Sequence, residues 1–331
     1  MIEHPILARG AVPTPRRGAR STLLGNDAPR AQDMKRLKKT CVGSEGQHSP
    51  CQETGYDMIP RRPLLLMPVA LSACATPLPP IDGEKTNPEA EALLEISARL
   101  HGLPALTTLD EINVNYEGEW RPIVARLQPA LIEDGFRGRS EEHLRLSKGV
   151  VDQLHTGPLG QKQVERRWSP TTPGTIRVWY NGKETSDLEK RAAAALVADG
   201  YALFLLGPML IAGAWSSRLA AMAVGAPERI TVDGQVHYCD VLRVTLAPGL
   251  GLSDTDQLGL YIDRAERLMR RVRFSLDGIA GTRNAVAEVD TFSHIVRDGV
   301  RWPLGFYERL LRPVPLPVHD WRLTGVSASR A

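Results

Sequence analysis

The chain has 331 residues, with 41 Lys and Arg against 38 Asp and Glu, a formal net charge of +3, 42% hydrophobic and 5% aromatic residues, and four Cys. The apolar fraction is enough for a packed core and excludes wholesale disorder. Four Cys in this length exclude a disulfide-dense scaffold, and a charge of +3 makes no case for nucleic acid.

Residues 1–57 are rich in Pro, Gly and Arg, with basic clusters at Arg16-Arg17 and at residues 35–39. No apolar period of 2 or 3.6 runs through them. The segment reads as a disordered tail, or as an upstream extension from a start codon taken too early, with Met58 as the true first residue. A basic tail that contacts nucleic acid is a third alternative. After Met58 come Arg61 and Arg62, an apolar run from Leu64 to Ala73, and the tetrad Leu71-Ser72-Ala73-Cys74. The run is too short to cross a bilayer, which takes about 20 apolar residues. Charge, apolar run and small residues stand in the order of a secretory signal over residues 58–73, and the tetrad matches a bacterial lipobox. Cys74 is therefore the expected lipid-attachment residue, because its thiol can take a thioether-linked diacylglycerol. A Pro-rich tether spans residues 74–88. The mature chain, residues 74–331, would hold 30 basic and 32 acidic residues, so the slight basicity belongs to the part removed. Cys239 would then have no internal partner and is expected to be a buried, inert thiol.

Downstream, Glu89–Leu100 is predicted helical, with Pro88 at its first turn and acidic residues near its N-terminus. Strands are predicted at Asp110–Trp120, Glu142–Leu146, Val150–His155, Gln161–Trp168 and Thr175–Tyr180, the last followed by an Asn181-Gly182 turn. Ser186 with Glu189 three residues on predicts a capped helix start. The uncharged run Gly200–Ser217 raises a membrane span, against which its marginal length already counts. Gly207-Pro208 at its centre and Asp199 at its edge favour two or three short buried helices instead. Strand rhythm returns at Glu228–Val232, Gln235–Leu246, Gln257–Ile262, Leu268–Leu276, Arg283–His294, Val300–Leu310 and Trp321–Val326. Short turns between them indicate an antiparallel meander. The apolar segment from Ala192 to Val224 is the natural cover for one face of that sheet. Whether sheet and cover enclose a greasy cavity or a filled core stays open at this point.

Searches for catalytic chemistry come back empty. The sequence has no Gly-x-Ser-x-Gly, His-Glu-x-x-His, Cys-x-x-Cys, Walker loop or strand-linked Gly-x-Gly-x-x-Gly, so no catalytic residue, metal or cofactor is expected. His237 and Cys239 share a strand face and are read as packed side chains ahead of metal ligands. His319-Asp320 is read as a surface or turn pair. In Arg270-Arg271-Val272-Arg273, Arg271 and Arg273 share one face, read as a solvated outer face ahead of a contact with acidic lipid head groups.

The strand ending Trp179-Tyr180-Asn181-Gly182, the helices after it, and a meander reading Leu258-Gly-Leu-Tyr-Ile-Asp263, Leu268-Met-Arg-Arg-Val-Arg-Phe274 and Asp298-Gly-Val-Arg-Trp-Pro303 carry a resemblance. Over residues 89–328 the chain resembles the bacterial LolA/LolB-like superfamily of outer-membrane lipoprotein-sorting proteins. The resemblance implies an α+β fold, mainly antiparallel β: a half-open curved sheet, or incomplete barrel, with helices covering its concave face. It also implies a hydrophobic cavity for a lipid or acyl chain. The expected cavity residues are Trp179, Phe204, Leu206, Met209, Leu210, Trp215 and Trp302. The expected protein is a lipoprotein anchored on the periplasmic face of the outer membrane, with lipids and other lipoproteins as partners and no nucleic acid. A structural or scaffold lipoprotein with a filled core is the alternative.

Overall fold

The computed structural model describes Leu78, Ile81 and residues 87–279, 281–282 and 284–330. The upstream segment, the signal, Cys74 and most of the tether lie outside the described residues.

Among the described residues, fourteen strands form one antiparallel sheet. The first group is β1 (Leu109–Trp120), β2 (Arg139–Arg145), β3 (Val150–Gly157), β4 (Gly160–Arg167), β5 (Thr175–Tyr180) and β6 (Lys183–Glu184). The second is β7 (Leu219–Val224), β8 (Glu228–Val232), β9 (Gln235–Leu246), β10 (Asp256–Asp263), β11 (Met269–Ser275), β12 (Val286–Arg297), β13 (Val300–Arg312) and β14 (Leu316–Arg330). Within each group most neighbours in sequence are neighbours in space. The last strand joins the groups by pairing with the first, so Val114 lies opposite Val326, Gly118 opposite Trp321, and Trp120 opposite His319. The sheet runs from β6 at one edge to β7 at the other and is not closed into a barrel.

The helices are α1 (Pro88–His101), α2 (Leu103–Leu106), α3 (Pro122–Leu127), α4 (Pro129–Ile132), α5 (Leu188–Leu206) and α6 (Pro208–Ala212). One apolar cluster joins α1, α5 and α6 to inward residues of both strand groups, among them Ile112, Leu144, Val151, Leu242, Leu260, Val272, Trp302 and Phe306. The sheet thus wraps around its helices, as the half-open architecture requires. No helix among the described residues is long and apolar enough to cross a membrane.

Helix α5 has no solvent stripe over its last four turns: every residue from Ala193 to Leu206 is buried. Its one charge there, Asp199, accepts hydrogen bonds from Arg166 Nε and Nη2 (2.9 Å each), Trp168 Nε1 (2.8 Å) and the Gly251 amide (2.8 Å). Both members of the ion pair are fully buried. Removing one partner of such a pair costs about 3–5 kcal/mol, since the other charge is left bare.

Several local expectations change. The cap of α5 is Asp187, whose carboxylate accepts the Glu189 and Lys190 amides, and not Ser186. Gly200 lies within α5 with the Phe204 ring close by, and the helix ends at the Gly207-Pro208 break that the sequence indicated, where α6 begins. Residues 122–136 fold as short helices, and Leu219–Val224 is a strand that the sequence pattern had not indicated. His319 is not at the surface: it lies inside β14, 3% exposed. Arg271 is not solvated either. It stands opposite Asp290 and bonds it, while Arg273, opposite Glu288, bonds that carboxylate. Matched carboxylates on the neighbouring strand account for a basic run on a largely covered face. Cys239 is buried as expected, and burial pushes its thiol up to about 12.

Candidate functional site

The expected cavity residues separate into three groups. Phe204, Leu206, Trp215 and Trp302 are buried in the core. Phe204 packs on Phe274 and Trp321 with ring centroids 5.3 and 5.9 Å apart, Trp215 sits edge-on to Trp168 at 5.3 Å, and the Trp302 indole donates to the Arg297 carbonyl at 3.1 Å. Trp179 faces the other way. It alternates with the inward Ile176 and Val178 along β5 and lies half-buried under Arg177, 4.7 Å from its ring centre. Met209 and Leu210 form the third group. With Leu103, Leu106, Leu109 and Leu146 they line an apolar crevice of about 240 Å³, with Gly213, Ala214, Thr107 and Ser147 around it. Ala214, Thr107 and Ser147 are exposed, so the crevice opens to the surface. Pro208 starts α6 right after the Gly207 break, which turns Met209 and Leu210 toward α2 and the start of β1.

The opposite end of β1 is built differently. There the inward row across five strands reads Tyr116, Ser140, His155, Lys162 and Tyr180, each cross-strand neighbour paired in register. Glu142 and Gln153 follow one row in. These polar side chains occupy the face that Leu144, Val151 and Val164 make apolar further along. The segment from α3 to the turn at Asp134–Phe136 covers them. Glu133, left-handed at φ 45°, closes α4 and accepts from Lys162 Nζ and the Tyr180 hydroxyl. Next to this row runs an aromatic stack: Trp120 on His319 (3.9 Å, 13°), His319 on Trp321 (4.5 Å, 16°), and Trp321 on Phe306 (4.9 Å, 4°). Gly118 has no side chain because Trp321 fills that space; a Cβ there would overlap Trp321 Cβ.

Between row and stack lies a chamber of about 20 Å³, lined by Tyr116, Trp120, Arg137, His155, Tyr201, His319 and Trp321 among others. It adjoins a groove of about 780 Å³ that shares Glu117, Gly118, Gly138, Arg139 and Trp321 with it and adds Phe292 and Phe306. Burial dominates its electrostatics. It pushes the Glu142 carboxyl up to about 8, against the pull of the Gln153 hydrogen bond and the Arg137 charge, and Glu308 up to about 7. Burial and the Arg137 charge hold His155 and His319 well below the usual imidazole range, so both are neutral. Lys162 is brought down to about 8 by burial and Arg137, with Glu133 opposing. None of these residues was singled out for binding from the sequence. The available signal was a polar residue at each inward position of strands whose other inward positions are apolar.

Among the described residues no cluster of His, Cys, Asp and Glu could hold a metal. No family model matches the chain, and no curated protein matches it. Among solved structures the chain is similar to a DUF1329 family protein from Desulfovibrio piger, at 12% identity over 72% of this chain and 93% of that one, with a TM-score of 0.44. It is also similar to a LolA superfamily protein from Nitrosomonas europaea, at 12% identity over 73% and 94%, with a TM-score of 0.43. Likenesses of this degree leave the function to be read from the chain's own residues.

Proposed function

We propose that the protein is a cell-envelope lipoprotein, anchored through Cys74 to the periplasmic face of the outer membrane, that holds an acyl chain in the crevice beside α6. The observation that carries this reading is the crevice itself: an open, apolar-lined cleft where Met209 and Leu210, two residues of the apolar cover, meet Leu103, Leu106, Leu109 and Leu146. An acyl chain seated there would gain about 25 cal/mol per Å² of apolar surface removed from water, less the cost of ordering the chain. The crevice accommodates part of one chain and gives no support to a large internal cavity, because the space between α5 and the sheet is taken by side chains. That close packing favours a second reading, a scaffold lipoprotein with a filled core.

Ala214 is exposed at the mouth of the crevice, so Ala214→Trp closes it without touching the core. Native mass spectrometry of membrane-purified protein is expected to show bound lipid in the parent chain and its loss in Ala214→Trp. Lipid absent from both supports the scaffold reading.

A further inference from the structure

We propose that the chamber at the far end of β1 is a binding site for a carboxylate group, whose ligand extends into the adjoining groove. This site is separate from the crevice: one lies at Leu109 and the other at Trp120, the two ends of a strand about 35 Å long.

The argument starts from polar atoms that lack partners. Buried nitrogens are almost always hydrogen-bonded, and each exception needs an explanation. Arg137 Nε and Nη1, His319 Nδ1 and Trp321 Nε1 are all buried without a partner, and all belong to residues lining this one chamber. The Tyr116 hydroxyl and Glu142 Oε2 face one another there without a hydrogen bond of good geometry. Arg137 is held in place by Nη2, which donates to the Leu131 carbonyl at 3.2 Å, and by its stacking over Trp120 at 5.4 Å. The Tyr201 hydroxyl is the polar group beside it, yet Nε and Nη1 make no hydrogen bond of good geometry.

The charges select an anion. Lys162 is matched by Glu133, whereas no carboxylate among the described residues comes within ion-pair distance of Arg137. The carboxyls that face it are buried Glu142 from β2 and part-buried Glu308 from β13, which desolvation pushes up to about 8 and about 7. His155 from β3 and His319 from β14 are neutral. Inside, the chamber therefore presents the Arg137 guanidinium with an indole N–H and an imidazole beside it, while Glu117 and Arg139 stand exposed at its mouth. Its size selects the kind of anion. A space of about 20 Å³ holds one or two water-sized atoms, which suits the two oxygens of a carboxylate and is too small for a phosphate. The groove of about 780 Å³, with Phe292, Phe306 and Trp321 among its walls, offers room for an apolar remainder.

Calorimetric titration of the full chain with acetate, decanoate and decanol tests this. Decanoate is expected to bind, decanol to bind at least about tenfold more weakly, and Arg137→Gln to weaken decanoate about tenfold or more. Trp321→Phe, which keeps the stack and removes one donor, is expected to weaken it severalfold. Acetate binding as tightly as decanoate would overturn the part of the proposal that extends the ligand into the groove; weaker acetate binding supports a carboxylate with an apolar tail. Ala214→Trp leaves decanoate binding at this site intact even if it abolishes lipid at the crevice, so the two readings fail separately. The proposal is overturned if no carboxylate binds, if decanol matches decanoate, or if Arg137→Gln binds decanoate like the parent chain. A chamber that holds only ordered water at saturating decanoate overturns it as well.

Discussion

Glu142 is a carboxyl placed where the strand pattern calls for an apolar residue, and its surroundings set its protonation. In the folded chain it keeps its proton up to about 8, against an ordinary value of 4.5, because burial penalises the charged form. Between those values the folded state binds a proton that the unfolded state has lost, so stability falls as pH rises through that window. Glu308 acts in the same sense up to about 7. His155 and His319, kept neutral by burial, act in the opposite sense and weaken the fold as pH falls below 6.5. Glu142→Gln removes the first contribution and can keep an acceptor for Gln153. Relative to the parent chain, its thermal midpoint is expected to be more favourable at pH 8 than at pH 5. A difference that does not change with pH would contradict a raised carboxyl.

Among the elements, α5 shows how a helix buried on all sides is positioned. Its last four turns have no amphipathic stripe to orient them, so the helix ends and the one charge of that stretch, Asp199, do so. Asp187 caps the N-terminus, the Asp199–Arg166 pair ties the middle to β4, and Gly207 ends it where a side chain would meet Met269. The cap assignment is testable. Asp187→Ala is expected to lower stability by about 1 kcal/mol in denaturant unfolding, while Ser186→Ala leaves it within about 0.5 kcal/mol. The reverse order would restore the Ser186 cap that the sequence spacing suggested. The same contrast explains the basic run of β11: its alternation is visible in the sequence, but its partners Glu288 and Asp290 are brought opposite only by strand pairing.

At the scale of the whole molecule, one open sheet carries an apolar crevice at one end of β1 and a polar chamber at the other. The pairing of β14 with β1 makes this arrangement possible, because it brings His319 and Trp321 beside Trp120 and Gly118. The proposed anchor belongs to this scale too. Cys74→Ser is expected to leave the protein unlipidated and free in the periplasmic fraction. A variant that stays with the membrane like the parent chain would sink the lipobox reading.

The sequence by itself determined much of the architecture. Period-2 alternation and Asn-Gly, Asp-Gly and Ser-Lys-Gly turns mark most strands, since both signals depend on residues close together in the chain. The antiparallel meander follows from them, with the apolar segment Ala192–Val224 as cover for one face, while the half-open form was what the family resemblance implied. Sequence also singled out Met209 and Leu210, because they sit in that segment, but it could not separate them from Trp302 and Phe204, which are equally apolar and buried but do not line the crevice. It placed Trp179 among the cavity residues, although alternation with Val178 turns it outward. The chamber was decided by tertiary structure alone. Arg137, Glu142, His155, His319 and Trp321 come from distant parts of the chain, and the burial of the last four beside the Arg137 guanidinium exists only once β1, β2, β3, β14 and the α3–α4 cover have met.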